Sequence, residues 1–183
     1  MIFARIFRNF ENAEYFYRKA IQSKPNYSDA YYNLGSIFNF QEKFAEAIPL
    51  FEQAINLNPN NSKAYNNLGT SLSSLNQFDK SIQYFRQAAL LNPFSIEILN
   101  NLAGVLINTN RYDDAIIESE KAIKIKPTCA EAIKNKALSL KLKGKLNESL
   151  KFFNQALEYN PNLYEARFER LNINQEICNW INY

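Results

Sequence analysis

The chain has 183 residues, of which 46% are hydrophobic and 21% are charged, and its formal net charge is +3. This length suits one domain or one uninterrupted array of repeats, and so small an excess of positive charge does not indicate nucleic acid as a partner. Histidine is absent, which removes the most common general base and metal ligand, and the two cysteines lack the spacing of a metal site. Because the cysteines also lie far apart, we expect a reducing, cytoplasmic environment and no disulfide framework.

Residues 1–27 start with apolar residues that Arg5, Arg8 and Asn9 interrupt. Such a stretch is neither a signal peptide nor a membrane span, so we expect no membrane partner. We predict that this segment holds the end of an incomplete first helix, followed by a full second helix centred on residues 11–22.

From there on, the chain repeats with a period of 34 residues. Prolines mark the period at Pro25, Pro59, Pro93, Pro127 and Pro161. Alanines keep it at Ala20, Ala54, Ala88, Ala122 and Ala156, and large residues keep it at Phe10, Phe44, Phe78, Tyr112 and Leu146. A leucine followed by a small residue recurs at Leu34–Gly35, Leu68–Gly69 and Leu102–Ala103.

Over nearly its whole length the chain resembles the tetratricopeptide repeat family, which has this period. The resemblance implies an all-α solenoid, a right-handed superhelix of antiparallel helix pairs with a small residue where two helices approach closely. We predict a single array over residues 1–183, with ten or eleven helices and no strands. Its parts are a partial repeat at 1–27, full repeats at 28–61, 62–95, 96–129 and 130–163, and a capping helix with a Cys-Asn-Trp junction at 164–183.

Each predicted repeat starts near a serine that is suited to cap a helix N-terminus, at Ser28, Ser62 and Ser95. The residues in between offer no catalytic constellation: there is no glycine-rich phosphate loop, and the acidic residues fall at outward helical positions. The sequence therefore predicts no enzyme, no catalytic residue, no cofactor and no metal site.

A solenoid instead offers an extended concave surface that binds polypeptide, and the first helix of each repeat lines it. One position there is asparagine in every full repeat, and the preceding position adds two more. These predicted peptide-binding residues are Asn33, Asn67, Asn101, Asn135, Asn66 and Asn100. An asparagine amide offers one donor group and one acceptor, as does each residue of an extended main chain. The alternative, that these side chains make scaffold hydrogen bonds, stays open.

Positively charged residues would indicate two other kinds of partner, a C-terminal carboxylate or an acidic protein. The clamp of co-chaperone repeats, which holds a carboxylate with lysine and arginine, is absent, because none of the four asparagine positions carries arginine. Lysines do crowd the fourth repeat, at Lys121, Lys124, Lys126, Lys134, Lys136, Lys141, Lys143, Lys145 and Lys151. They could attract an acidic partner, but without interleaved aromatic residues a solvated face is the favoured interpretation.

The chain ends in QEICNWINY, which breaks the repeat pattern. Its residues Gln175, Cys178, Trp180 and Tyr183 resemble the junction at which the repeats of O-GlcNAc transferase and SPINDLY-like glycosyltransferases end. The resemblance implies a substrate-recruiting repeat region, and the alternative is a free-standing scaffold that assembles a protein complex. Trp180 is expected to bury a large area against the last helices.

Overall fold

The computed structural model describes the backbone of residues 2–181 and the side chains of residues 10–176. Every regular element in this part of the chain is a helix, which confirms the predicted all-α fold and the expected number of helices. The ten helices are α1 (Ile2–Ser23), α2 (Ser28–Phe40), α3 (Phe44–Leu57), α4 (Ser62–Ser74), α5 (Phe78–Leu91), α6 (Ile96–Asn108), α7 (Tyr112–Ile125), α8 (Ala130–Leu142), α9 (Leu146–Tyr159) and α10 (Tyr164–Ile181). Within the described residues, none of them combines the length and the apolar character that a membrane span requires.

The tertiary contacts divide the chain into an N-terminal unit, residues 1–93, and a C-terminal unit, residues 94–183. In the N-terminal unit α2 pairs with α3 and α4 with α5, while α1 packs on α2 and α3 on α4. In the C-terminal unit α6 pairs with α7 and α8 with α9, while α7 packs on α8 and α9 on α10. Short turns join the paired helices, which therefore run antiparallel. That the whole chain forms one array stays a prediction.

We call the first helix of each pair (α2, α4, α6 and α8) an A helix and the second a B helix. The turn from A to B contains one residue with positive φ, namely Glu42, Asn76, Asn110 and Gly144 in the four pairs. In the first turn the N–H of Lys43 donates to the carbonyl of Phe38 at 2.8 Å, and the N–H of Glu42 donates to that of Asn39 at 3.0 Å. This pair of bonds is the Schellman motif, which ends a helix by satisfying its last carbonyls.

Close approach of an A helix to its B helix depends on glycine. A Cβ atom added to Gly35 would lie 2.9 Å from the ring of Phe51, and one added to Gly69 would lie 2.9 Å from the ring of Phe85. Both rings are fully buried. The small residue and the aromatic ring therefore fill one space together, as expected for this repeat.

The start of the chain differs from the prediction. Residues 2–23 form one continuous helix, instead of the end of one helix and a complete second helix. The serine caps also differ. Ser28 and Ser62 are the first residues of α2 and α4, and neither is the cap.

Asn61 caps α4 by accepting from the N–H of Ala64 at 3.1 Å, whereas Ser28 donates to the carbonyl of Ala54 at 2.9 Å. The prediction is confirmed at Ser95, which accepts from the N–H of Ile98 at 3.4 Å. Asparagine accepts as well as serine at an N-cap, so the shift costs α4 little, whereas Tyr27 at the N-cap of α2 makes no side-chain hydrogen bond.

In the described part of the chain, the last helix, α10, packs on α9. Ala166 and Ile173 are fully buried in a cluster that includes Phe153 of α9. At three repeat positions where α2 carries large apolar or aromatic residues, α10 carries polar residues. These are Arg167, Arg170 and Asn174, in place of Tyr31, Leu34 and Phe38 of α2. A polar side of this kind can remain in water, as capping helices require. Trp180, the predicted cap, lies outside the residues whose side chains the structure describes.

Candidate functional site

All six predicted peptide-binding asparagines lie on A helices. In the N-terminal unit, Asn33 lies on α2, and Asn66 and Asn67 lie on α4. Residues three, four and seven apart share one side of a helix, so one side of each A helix carries the asparagine position. We call this side of α2 and α4 the N-terminal A face. It comprises Asp29, Tyr32, Asn33, Ser36, Asn39, Phe40, Lys63, Asn66, Asn67, Thr70, Ser73 and Ser74.

Hydrogen bonds join α2 and α4 across this face. The Nδ2 of Asn67 donates to the hydroxyl of Ser36 at 3.3 Å, and the hydroxyl of Ser71 donates to Oδ1 of Asn39 at 2.9 Å. Asn67 is half-buried, so part of its amide faces solvent. Asn33 is also half-buried, and its amide has no hydrogen-bond partner among the side chains and main-chain groups of residues 10–176.

The corresponding side of α6, α8 and α10 is the C-terminal A face. Here the Nδ2 of Asn135 donates to the main-chain carbonyl of Asn100 at 3.5 Å, and Asn135 is only 5% exposed. The Nδ2 of Asn100 lies 3.7 Å from the thiol sulfur of Cys129, and its Oδ1 is buried without a partner among the described residues. Asn101 is half-buried. Each unit thus has two half-buried asparagines and one buried one, which is Asn66 at 4% exposure in the N-terminal unit and Asn135 in the C-terminal unit.

Ion pairs occupy the C-terminal A face. Lys134 is 8% exposed and lies between two carboxylates, 2.6 Å from Glu131 and 2.8 Å from Glu165. Lys141 pairs with Glu169 at 2.5 Å, which ties α8 to α10 a second time. Burial alone lowers the pKa of Lys134, but the hydrogen bonds and charges of Glu131 and Glu165 outweigh it. The pKa of Lys134 therefore lies above its ordinary value of 10.5.

The lysine-rich region is more neutral than its sequence indicates. Six of the nine lysines form ion pairs, which are Lys121 with Glu118, Lys134 with Glu131 and Glu165, Lys136 with Glu120, Lys141 with Glu169, Lys143 with Asp113 and Lys145 with Glu148. Lys136 also lies 4.3 Å above the ring of Phe152. The partner acids come from four helices and from beyond the fourth repeat, so a count along the sequence understates them. These contacts favour the solvated face over an acidic partner.

We also searched the described residues for a metal site and for a ligand pocket. Among them, no group of three or more cysteine, aspartate and glutamate side chains could hold a metal ion. A hollow of about 400 Å³ lies on α1 alone, lined by Glu11, Glu14, Tyr15, Arg18, Lys19 and Gln22. Since one exposed helix side lines it, it is a surface crevice and contains none of the predicted binding residues.

Models of the tetratricopeptide repeat match residues 28–61, 50–83, 96–129 and 130–163, which together span more than half of the chain. The chain belongs to the tetratricopeptide repeat family. The search of curated proteins found no match.

Solved structures show the same fold. The protein MamA matches with a TM-score of 0.79 and 25% identity, over 88% of this chain and 88% of its own. YrrB, described as a repeat protein "with an unusual peptide-binding site", matches with a TM-score of 0.79 and 25% identity, over 90% of this chain and 84% of its own. A tetratricopeptide repeat protein from Parabacteroides merdae matches with a TM-score of 0.81 and 20% identity, over 93% of this chain and 68% of its own.

Sequence reasoning missed the contacts between successive A helices of this tetratricopeptide repeat protein. Asn67 and Ser36 are 31 residues apart, and so are Glu165 and Lys134. A search for complementary side chains at this separation, slightly less than one repeat, would have found both pairs. Reasoning within one helix compares residues three or four apart and does not reach them.

Proposed function

We propose that this chain is a protein-interaction module that binds extended polypeptide on its A faces through the asparagine amides. The observation that carries the proposal is Asn33, whose half-exposed amide has no partner within residues 10–176. The same position is asparagine in every later repeat. An amide without an internal partner can donate to a main-chain carbonyl and accept from a main-chain N–H.

The relative YrrB supports this proposal by its fold and its described peptide-binding site. Binding would be neutral in character, because amides contact the main chain and need no charged ligand. Neutral hydrogen bonds are insensitive to screening by salt, whereas attraction to exposed lysines weakens as salt is added.

The test is a titration of wild type and variants against a panel of extended peptides at low and high salt. A neutral hydrogen bond contributes about 0.5–1.5 kcal/mol. Replacement of Asn33, Asn67, Asn101 and Asn135 by alanine together should weaken binding by roughly 2–6 kcal/mol if the contributions add. A matched control replaces Asn56 and Asn154, which are exposed on B helices. Unchanged affinity together with a large drop in melting temperature would show that the four asparagines serve the scaffold alone.

A more specific proposal is that the module recruits substrates for an O-GlcNAc-transferase-like protein. It is supported by the resemblance of Gln175, Cys178, Trp180 and Tyr183 to that family's junction. A free-standing scaffold is the alternative, and the gene beyond Tyr183 separates the two. An open reading frame with alternating strand and helix patterns favours the transferase, and a stop codon favours the scaffold.

A further inference from the structure

We infer that the N-terminal A face holds the polypeptide, and that it selects an uncharged segment with an apolar side chain that packs on Phe40. This inference rests on the proposed function and names the part of the chain that performs it. Phe40 lies at the C-terminal end of α2, 69% exposed, with its ring 4.9 Å from that of Phe10. An aromatic ring supported on one side and open on the other is a seat for an apolar group.

A polypeptide site on an A helix needs an accessible amide and an apolar anchor, and α2 has both, in Asn33 and Phe40. The position of Phe40 is Ser74 on α4 and Asn108 on α6, neither of which is apolar. On α8 it is Leu142, which is 45% exposed and could serve as an anchor.

However, α8 lacks an accessible amide. Its asparagine, Asn135, is 5% exposed, and the neighbouring Lys134 is held between two carboxylates. A ligand main chain would have to break these ion pairs to reach α8. The buried ammonium group of Lys134 would then lack its carboxylate partners, which is strongly unfavourable.

The charge of the N-terminal A face determines which ligand fits. Asp29 and Lys63 lie in the first turns of α2 and α4, but from the asparagine position to the C-terminal end of each helix the face carries no ionisable carboxylate, ammonium or guanidinium group. A charged ligand side chain placed there would lose hydration without gaining a counter-ion, so the face complements an uncharged segment. Asn33 and Phe40 are seven residues apart on one helix, a rise of about 10 Å. About three residues of extended chain cover this distance between the bonded main chain and the apolar side chain.

The experiment is an NMR titration of the full chain with four short capped peptides. One is built from Ser, Thr and Asn around a central Phe. The others replace that Phe by Ser, or keep it and add two Lys or two Glu. We expect the uncharged Phe peptide to shift amide signals of α2 and α4. It should bind about tenfold more tightly than the Ser peptide, because its aromatic side chain becomes partly buried on Phe40. Both charged peptides should bind more weakly than the uncharged one.

Variants locate the site. Phe40→Ser should weaken binding of the Phe peptide by about tenfold, and Leu142→Ser, at the same repeat position of α8, should leave it unchanged. Asn33→Ala provides a second variant that removes no hydrogen bond within residues 10–176, and it should weaken binding of all four peptides alike. Binding that survives Phe40→Ser and Asn33→Ala, or shifts confined to α8 and α10, would overturn this inference while leaving peptide binding intact. No shift with any of the peptides would overturn the proposed function as well.

Discussion

Two glycines in equivalent helices should respond differently to the same substitution. Gly35 lies inside α2 and Gly104 lies inside α6, and both can gain a methyl group as alanine. In a helix interior, alanine is more favourable than glycine by about 1 kcal/mol. Nothing lies within 4 Å of a Cβ added to Gly104. Gly104→Ala should therefore raise the free energy of unfolding by about 1 kcal/mol.

Gly35→Ala has the same helical gain, but its Cβ would lie 2.9 Å from the fully buried ring of Phe51. Overpacking of this kind costs about 1–3 kcal/mol. The ring of Phe153 shares a cluster with Ala137, which occupies the position of Gly35, so the fold can accommodate the methyl group after the helices adjust. Gly35→Ala should accordingly be less stable than Gly104→Ala by about 1–3 kcal/mol, near the lower limit.

The assay is urea unfolding followed by circular dichroism, with both variants and wild type under one set of conditions. Phe51→Leu supplies a double-mutant cycle: if the ring causes the cost, Gly35→Ala should be less destabilising in the Phe51→Leu background. Equal stabilisation by Gly35→Ala and Gly104→Ala would refute the close approach of α2 and α3 as the reason for the glycine.

Three further predictions concern the turns, the buried lysine and the end of the chain. Glu42 has φ 59°, so Glu42→Gly should raise the free energy of unfolding by about 0.5–1 kcal/mol, measured by urea unfolding. Gly144 has φ 78°, so Gly144→Ala should lower the free energy of unfolding. Because the pKa of Lys134 is raised in the folded state, its stabilising contribution is complete below its ordinary value of 10.5 and is lost as the pH rises above that value. Wild type should thus lose more stability than Lys134→Met in unfolding measured between neutral pH and strongly alkaline pH, and parallel curves would contradict this. Trp180→Ala should cost roughly 3–5 kcal/mol locally and reduce hydrogen-exchange protection first in the C-terminal repeats, whereas an even loss along the chain would argue against a cap.

The period of the sequence predicted the helices because each turn and each close approach repeats every 34 residues. Gly35 and Gly69 could be assigned to helix contacts from their repeat position, since a small residue recurs opposite a large one. The positive-φ turn was harder to predict. Asparagine or glycine stands there at Asn76, Asn110 and Gly144, but Glu42 interrupts the pattern, and glutamate does not indicate a left-handed conformation.

The two A faces were less predictable, because their chemistry depends on neighbouring repeats. Lys134 belongs in sequence to a lysine-rich segment that suggests a basic surface. In the structure it is buried between Glu131 and Glu165, and the second of these lies 31 residues away. Whether a lysine attracts a ligand or serves the scaffold is decided by the side chain that the next repeat brings beside it.

The same rule explains why equivalent asparagines have different surroundings. Asn67 donates to Ser36, which precedes it by 31 residues, so the preceding repeat supplies its partner. The residue 31 before Asn135 is Gly104, which has no side chain, and Asn135 donates instead to a main-chain carbonyl. For Asn33 that residue is Ile2, which lies in the continuous helix α1 and outside the residues whose side chains are described. The scaffold role and the binding role of the asparagines are therefore compatible. An asparagine with a suitable neighbour joins two repeats, and Asn33, which has no partner among residues 10–176, is the one that we propose to bind a ligand.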